Sequence, residues 1–380
     1  MKLNQLLNTD LLLHHIQEGF VGVQRHPTLP LRILNYTHLA QYDGKAWGDG
    51  TIDYCRGLIV DNEDNIIARP FKKFHNLNTE SMPETMAEHL PFALPEITIK
   101  MDGSLGIWYP DGTPEGAIAT RGSFTSPQAL WATKWWKLEA NAGHRQSGLY
   151  GPWKGHWTPL FEIIYPENRI VVDYKGFAGL ICIGGVYIDS GLDVSRSDIS
   201  HVLGDLLVGK VYISDTTMLG VLAEQNRENE EGYVASFEQG KLRVKIKFAE
   251  YARLHRIITG LNAHSLWELF RVGDGLVVEN LPEHVRRWYG QWHARLSTQY
   301  TSIYDAVRIL AANHPEWVGS ETERQNRTRR AAWFFQQNQP ELKSAYFAKI
   351  DGKDVAPIIW DMIEPRGDDR SFQPLDMEEV

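Results

Sequence analysis

Ile99-Lys100-Met101-Asp102-Gly103-Ser104 is the most informative stretch of this 380-residue chain. It lies between two apolar runs, Ile97–Ile99 and Leu105–Tyr109, which predicts a strand, a tight turn at Asp102-Gly103, and then a second strand or a helix. A lysine at such a turn can attack phosphorus once a nearby positive charge or a metal ion lowers its pKa from the ordinary value of about 10.4. Asp102 can help to hold a metal ion through water, and Gly103 lets the backbone approach a nucleotide closely. By itself the pattern is weak, because a surface turn can have the same composition.

Three later segments carry residues of the same kind of chemistry. Phe161-Glu162 places a carboxylate in an otherwise apolar run, where a charge needs a partner. Glu231-Gly232-Tyr233-Val234 places a carboxylate beside a glycine, which suits a magnesium ion or its waters. Lys245-Ile246-Lys247 points two ammonium groups to the same side of a strand, because strand side chains alternate. Each segment alone could be a solvated turn or strand face, but their order along the chain is far more specific.

That order, KxDG, then FE, then EGxV, then KxK, resembles the signature of the covalent nucleotidyltransferases, which include RNA ligases, DNA ligases and mRNA capping enzymes. The flanking segments Arg56-Gly57, Arg69–Asn76 and Thr120–Ser123, together with Tyr251 after KxK, narrow the resemblance. The set is similar to the RNA ligase 1 family, typified by the tRNA-repair ligase of T-even phages. The similarity covers most of residues 30–255.

The resemblance implies an α+β fold class. It predicts an N-terminal nucleotidyltransferase domain, an ATP-grasp-like adenylyltransferase with antiparallel sheets, over residues 1–260, and an all-α C-terminal domain over residues 261–380. The residues agree with that division, since strand-like runs dominate the first part and apolar residues at helical spacing dominate the second. Predicted strands are Leu31–Leu34, Gly57–Val60, Ile66–Arg69, Leu160–Ile164, Arg169–Val172, Leu180–Tyr187, Gly232–Phe237 and Leu242–Phe248. Predicted helices begin at the cap residues Ser126, with Gly143 as its end, and Ser195, and later cover Ser265–Val272, Pro282–Asn313 and Glu321–Gln337.

The resemblance also implies a role for each matching residue. Lys100 would be the nucleophile that carries AMP, assisted in catalysis by Lys245, Lys247 and Arg56. The nucleotide would be held by Lys73, Gly103, Arg121, Glu162 and Tyr251 together with the three lysines of the two motifs, and metal would be held by Asp102 and Glu231. Phe74 or His75 would face the adenine. The family often has lysine where this chain has Arg121, which keeps the charge but changes its shape.

The implied activity is ATP-dependent joining of a 5′-phosphate and a 3′-hydroxyl RNA end, with Mg²⁺, or Mn²⁺ in its place. The reaction would pass through a covalent lysine-AMP and an adenylated RNA, and its setting would be RNA repair, with nicked tRNA as a possible substrate. A DNA ligase or a capping-type guanylyltransferase is an alternative, but those enzymes normally add an OB-fold after KxK, where this chain looks helical. A non-catalytic RNA-binding relative is another alternative, and it would be expected to have lost motif residues that are all present here.

Composition bounds these expectations. The formal net charge of -9 counts mildly against a nucleic-acid binder, although a local basic groove sets the field that a phosphate experiences. Arg324, Arg327, Arg329 and Arg330 form a basic cluster that could bind RNA phosphates or could be an ordinary solvated helix face.

Two cysteines far apart, Cys55 and Cys182, argue against a disulfide framework and a structural zinc site. With no long apolar run and no signal peptide, we expect a cytoplasmic monomer without a membrane span.

Overall fold

A computed structural model of the chain describes residues 1–42, 44–141, 156–203, 227–273, 281 and 283–366. These residues fall into two compact units, the first ending at Arg256 and the second beginning at Ile257. Among them, no helix combines the length and the apolar character that crossing a bilayer requires. The predicted helix end at Gly143 lies outside the described residues.

The first unit contains all the described strands, which we number in chain order. They are Val21–Arg25 (β1), Leu31–Tyr36 (β2), Arg56–Asp61 (β3), Ile66–Ala68 (β4), His75–Asn76 (β5), Glu96–Lys100 (β6), Ser104–Tyr109 (β7), Ala117–Ala119 (β8), Trp157–Ile164 (β9), Gly179–Tyr187 (β10), Gly232–Phe237 (β11) and Leu242–Lys247 (β12).

The described helices are numbered in the same way. They are Leu3–Leu6 (α1), Thr9–Gln17 (α2), His38–Tyr42 (α3), Thr51–Tyr54 (α4), Pro127–Asn141 (α5), Arg196–Leu203 (α6), Ala249–Gly260 (α7), Ala263–Arg271 (α8), Glu283–Asn313 (α9), Glu323–Phe335 (α10), Lys343–Ile350 (α11) and Ala356–Met362 (α12). Short 3₁₀ turns occur at Gly44–Trp47, Pro83–Thr85, Ala87–His89, Pro166–Asn168, Glu238–Gly240 and Pro340–Leu342.

The strands form three sheets of four. Their orders are β1-β2-β3-β4, β10-β9-β7-β8 and β5-β12-β11-β6. Pairing is antiparallel except between β5 and β12, which run parallel. The expected mixed α and β composition, with antiparallel sheets followed by helices, is confirmed at this level.

Each sheet buries apolar side chains on at least one face. Ile33 and Ile59 of the first sheet pack with Ile107 and Leu160 of the second. The opposite face of the second sheet is covered by α5 and α6, where Trp136 is fully buried. The helical unit has a core of its own around Val307, Phe334, Tyr346 and Ile359, as its apolar spacing predicts.

Helix starts follow the predicted caps. The hydroxyl of Ser126 accepts a hydrogen bond from Ala129 N at 3.2 Å, and α5 begins at the next residue, Pro127. The hydroxyl of Ser195 accepts one from Asp198 N at 3.1 Å at the start of α6. These contacts satisfy amide groups that would otherwise have no partner in the first turn.

One sequence expectation was wrong. Arg169–Val172 is not a strand, because the amides of Val171 and Val172 bind a carboxylate instead of a neighbouring strand. The predicted strand Gly57–Val60 is found, and it begins one residue earlier, at Arg56. In addition, β6 and β7, which flank the Asp102-Gly103 turn, belong to different sheets, so the turn connects two layers and closes no hairpin.

Candidate active site

Strand register in the third sheet brings Lys100 and Lys247 to one carboxylate. Gly232 in β11 lies opposite Lys100 of β6 on one side and opposite Lys247 of β12 on the other. Glu231, one residue earlier and only 1% exposed, is thereby placed between the two lysines. Its Oε1 lies 2.8 Å from Nζ of Lys100 and 3.4 Å from Nζ of Lys247. Residues separated by about 130 positions in sequence thus form one ion cluster.

Gly232 is required by this register. Its φ of +143° is a conformation that side chains rarely adopt, and a Cβ there would lie 2.0 Å from the carbonyl oxygen of Ile246. The glycine of the Glu-Gly motif therefore serves the backbone packing that holds Glu231 in place.

The two lysines of the KxK motif share a face, as strand alternation predicts. Val244 and Ile246 are buried, whereas Lys245 and Lys247 keep partly exposed side chains. Burial lowers the pKa of Lys245 well below its usual value, and the charges of Lys100, Lys73, Lys247 and Arg56 lower it further. Burial also lowers the pKa of Lys247, although Glu231 opposes that shift. An anion that enters the site therefore stabilises the charged form of both lysines.

Lys100 behaves differently. Burial by itself would lower its pKa, but the carboxylates of Glu231, Glu162 and Asp102 outweigh burial and raise it. The sequence-based hypothesis required a lowered pKa for nucleophilic attack, and this arrangement instead holds Lys100 protonated. An additional positive charge near Glu231 is needed before Lys100 can lose its proton.

Asp102 is held by three protein donors. It is 3% exposed, and its Oδ2 accepts hydrogen bonds from Val171 N and Val172 N, each at 2.8 Å. Its Oδ1 accepts a hydrogen bond of 2.7 Å from the hydroxyl of Tyr251 in α7. A carboxylate satisfied in this way favours anchoring the turn after Lys100 over direct metal coordination. The metal role assigned to Asp102 stays a prediction.

The turn after Asp102 packs against β9. A Cβ on Gly103 would lie 2.5 Å from the carbonyl oxygen of Ile163 and 3.1 Å from Cγ of Glu162. Gly103 thus permits close approach of two protein segments, which is a different reason from the nucleotide contact expected from the sequence. Burial raises the pKa of Glu162 to about 8, and Lys100 only partly offsets that increase. Glu162 therefore carries a proton at neutral pH and can donate a hydrogen bond. Its negative charge acts on Lys100 only at the higher pH at which Lys100 itself titrates.

A cluster around Tyr36 was not predicted. Its hydroxyl accepts hydrogen bonds from Nζ of Lys73 at 3.1 Å and from Nη1 of Arg121 at 2.7 Å. Burial tends to raise the pKa of Tyr36, but Arg121, Arg56 and Lys73 together lower it. Nη1 of Arg56 and Nε of Arg121 are buried and have no hydrogen-bond partner. Two arginines with unused donors suit phosphate oxygens.

These groups line one pocket of the first unit. The predicted residues among those that line it are Arg56, Lys73, Phe74, Lys100, Gly103, Arg121, Glu162, Glu231 and Lys245. Asp102, Lys247 and Tyr251 are not among the lining residues, but Lys247 contacts Glu231 and Tyr251, and Tyr251 donates to Asp102.

The two residues proposed to face adenine differ in position. Phe74 lines the pocket, with Nζ of Lys245 5.3 Å from its ring centre and Cζ of Arg56 5.5 Å from it. The His75 ring instead lies edge-on to Trp47, at 6.2 Å between ring centres. Burial lowers the pKa of His75 to about 4, so it is neutral. Of the two, Phe74 is the one available for stacking.

Comparison with known proteins agrees with this set of residues. The sequence model of the RNA ligase family matches residues 54–251, just over half of the chain and the part that contains all the site motifs. The chain belongs to the RNA ligase family.

Individual members of the family share little sequence identity with this chain. An RNA ligase of Rhodothermus phage RM378 is 24% identical over 367 residues, covering 78% of this chain and 81% of the relative. RNA ligase 1 of bacteriophage TS2126 is 31% identical over 127 residues, covering 32% of this chain and 31% of the relative. A Thermovibrio ammonificans protein is 28% identical over 239 residues, and the match spans 57% of each chain. An archaeal ATP-dependent RNA ligase structure aligns with 76% of this chain and 71% of its own at 15% identity and a TM-score of 0.46.

Magnesium, which the family's chemistry implies, fits this site only in part. Among the described residues no group of three or more acidic, histidine or cysteine side chains forms a metal cage. Glu231 is the fitting ligand, because its Oε2 is buried and has no hydrogen-bond partner. A magnesium ion held by one carboxylate, substrate phosphates and water is the usual arrangement at phosphate-transfer sites.

The predicted basic cluster of the helical unit is largely paired with its own surroundings. Nε of Arg327 lies 3.2 Å from Glu323, and Nε of Arg329 lies 3.3 Å from Glu321. Nε of Arg330 donates to the carbonyl oxygen of Pro315 at 3.1 Å. These contacts favour the solvated helix face, and RNA binding by the cluster stays a prediction.

Proposed function

We propose that the chain is an ATP-dependent RNA ligase that carries AMP on Lys100. The observation that carries the proposal is the placement of Lys100 and Glu231 in a pocket lined by further cations, with Lys247 in contact with the same carboxylate. Nζ of Lys100 lies 2.8 Å from a buried carboxylate, and Lys245, Arg56 and Arg121 line the same pocket. This arrangement suits a polyanion next to a potential nitrogen nucleophile.

In the first step, Nζ of Lys100 forms a bond to the α-phosphorus of ATP and the bond to the β-phosphate oxygen breaks. Pyrophosphate leaves with that electron pair, and the ammonium proton of Lys100 must depart before attack. Glu231 is the nearest proton acceptor and also the carboxylate that raises the pKa of Lys100. Mg²⁺, or Mn²⁺ in its place, would neutralise charge on Glu231 and on the triphosphate when bound there.

In the later steps, a 5′-phosphate oxygen of RNA takes the AMP from Lys100, and a 3′-hydroxyl then displaces AMP to seal the strand. Both displacements develop charge on phosphate oxygens, and preformed cations stabilise such charge without rearrangement. Lys245 and Lys247 are suited to the α-phosphate, whereas Arg56, Lys73 and Arg121 are suited to the phosphates beyond it. Phe74 is suited to the adenine.

Two acidic residues would have roles other than metal binding. Glu162, protonated at neutral pH because burial raises its pKa to about 8, can donate a hydrogen bond to a ribose hydroxyl. Asp102 would position the turn that carries Lys100, since Val171 N, Val172 N and Tyr251 hold its carboxylate. We further propose RNA repair, with nicked tRNA among the candidate substrates, on the strength of the family resemblance.

The decisive experiment is transfer of label from α-labelled ATP to protein in the presence of magnesium. Wild type should give a labelled band on a denaturing gel, Lys100→Ala should give none, and GTP should not replace ATP. Lys241→Ala is the matched control, because Lys241 is an exposed lysine paired with Glu238 at 3.4 Å and should label normally. Absence of label in wild type whose intact mass also lacks AMP would refute the proposal.

The polynucleotide is tested separately. Labelled protein should transfer AMP to RNA with a 5′-phosphate and seal it to a 3′-hydroxyl end, and matched DNA strands should react more slowly. Equal or faster sealing of DNA would favour the DNA ligase alternative.

A further inference from the structure

The loop between β9 and β10 holds Asp102, in the turn after Lys100, through both the side chain and the backbone of that aspartate. Val171 N and Val172 N donate to the Asp102 carboxylate, each at 2.8 Å. The hydroxyl oxygen of Tyr174, in the same loop, accepts a hydrogen bond of 2.6 Å from Asp102 N. The loop thus fixes the peptide of the turn as well as its carboxylate.

The same loop also holds the segment that precedes Glu231. The amide that follows Val172, Asp173 N, donates a hydrogen bond of 2.7 Å to Oδ1 of Asn229. In return, Nδ2 of Asn229 donates one of 3.0 Å to the carbonyl oxygen of Asp173. Asn229 lies two residues before Glu231. Three successive amides of one loop therefore bind the two chain segments that carry Lys100 and Glu231.

Both partners in this contact are suited to it. The φ of Asn229 is +57°, a left-handed conformation that asparagine adopts more readily than most residues. The loop is itself braced, because the guanidinium of Arg169 donates to Val171 O at 3.2 and 3.1 Å and lies 3.3 Å from the Asp173 carboxylate. A braced loop can fix the distance between the two segments that it binds.

The contact complements the strand pairing around Glu231. Strand pairing holds this residue from its C-terminal side, where β11 begins at Gly232 and Phe248 N donates to the Glu231 carbonyl at 3.0 Å. Asn229 supplies a contact on the N-terminal side. Such support matters because Oε1 of Glu231 lies 2.8 Å from Nζ of Lys100, and a displacement of about 1 Å can slow a reaction by about 100-fold.

We infer that Asn229 is a positioning residue for the reaction of Lys100 with ATP, an inference that rests on the proposed ligase function. Through the loop that also holds Asp102, Asn229 keeps the Glu231 carboxylate in register with Lys100. Asn229 does not line the pocket proposed to hold ATP. Its loss should therefore slow the reaction of Lys100 without weakening the binding of ATP.

A glycine at this position gives a clean test. Asn229→Gly removes both side-chain hydrogen bonds, and glycine adopts a left-handed backbone without strain, so the variant should fold normally. Asn338→Gly is the matched control, because Asn338 also has a left-handed φ, +54°, and belongs to the helical unit.

The reaction is followed as a single round of labelling from ATP, after pyrophosphate has removed any AMP already on the protein. Asn229→Gly should label to the wild-type amplitude, with a maximal rate about tenfold lower and an unchanged half-saturating concentration of ATP. Asn338→Gly should behave as wild type. A wild-type maximal rate in Asn229→Gly would overturn the inference. A loss confined to the amplitude would also overturn it, because it would indicate unfolded protein, and so would a loss confined to ATP affinity.

Hydrogen exchange tests the contact without the reaction. In the absence of ATP, a peptide that covers Val171–Tyr174 should exchange faster in Asn229→Gly than in wild type, whereas a peptide that covers β1 should be unchanged. Equal exchange of the loop in the two proteins would overturn the inference. Failure of wild type to label would refute the ligase proposal, and the exchange comparison would still decide whether Asn229 holds the loop.

Discussion

Replacing Glu231 by glutamine separates the two effects that this carboxylate has on Lys100. The side chain keeps its shape but loses its charge, and Nζ of Lys100 lies 2.8 Å from Oε1. At an effective dielectric constant of about 20, a pair at that distance is worth about 6 kcal/mol. Since Glu162 and Asp102 continue to raise the pKa of Lys100 and water can enter, we expect the pKa of Lys100 to decrease by less than the full loss of this pair would give.

The pKa can be measured without ATP. Wild type and Glu231→Gln are treated with acetic anhydride over a range of pH, and the acetylated fraction of Lys100 is followed by mass spectrometry, with exposed Lys241 as internal standard. Lys100 should react at lower pH in the variant. Labelling from ATP should nevertheless fall about tenfold or more, because the proposed magnesium ligand is lost. Glu230→Gln, at a carboxylate 3.6 Å from Arg227, is the matched control and should leave both measurements unchanged.

An unchanged acetylation profile in Glu231→Gln would refute the claim that Glu231 holds Lys100 protonated. Faster labelling from ATP in the variant would contradict the second part, because it would mean that Glu231 only restrains the nucleophile and contributes nothing to the reaction.

Three further substitutions test the supports of the site. Tyr251→Phe removes a donor to the buried Asp102 carboxylate, so it should lower the free energy of unfolding in urea by about 2 kcal/mol and slow the labelling of Lys100. Tyr346→Phe is the control and should be neutral, because the buried Tyr346 hydroxyl has no partner. Equal losses in the two variants would contradict the anchoring role of Tyr251. Gly232→Ala should destabilise the protein by about 3 kcal/mol or more, since its Cβ would lie 2.0 Å from a carbonyl oxygen. Gly22→Ala is the control and should cost under about 1 kcal/mol in the same assay, because its Cβ would meet other atoms only at 3.7 Å. Glu162→Gln should be more stable than wild type at pH 9 and equally stable towards pH 5. A folded pKa of about 8 against the ordinary 4.5 makes wild type lose stability as the pH rises. A difference in the free energy of unfolding that does not change with pH would refute the raised pKa.

Local patterns predicted local structure well. Strand alternation placed Lys245 and Lys247 on one face, and the hydroxyls of Ser126 and Ser195 start helices as their cap preference indicates. Such features depend on a few neighbouring residues, so a sequence pattern contains the information that they need.

Features that depend on distant residues could not be predicted from local sequence patterns. The Tyr36 cluster joins a residue of β2 to Lys73 and Arg121, and a lone tyrosine at a strand end gives no signal of it. Val171 and Val172 have strand-like side chains, yet their amides bind Asp102, about 70 residues earlier. Intrinsic strand preference is weak and yields to such tertiary contacts.

Register and anchoring together explain why the turn after Lys100 contains an aspartate. Pairing of β6 with β11 holds the backbone of Lys100 in place. However, β6 ends at this residue, and the chain crosses to another sheet at the following turn. Without an anchor, the turn could move and carry the lysine away from Glu231. Asp102 prevents this through hydrogen bonds to Val171, Val172 and Tyr251, which belong to a loop and a helix outside both sheets. The nucleophile is therefore held from two directions, by strand pairing on its N-terminal side and by a buried carboxylate on its C-terminal side.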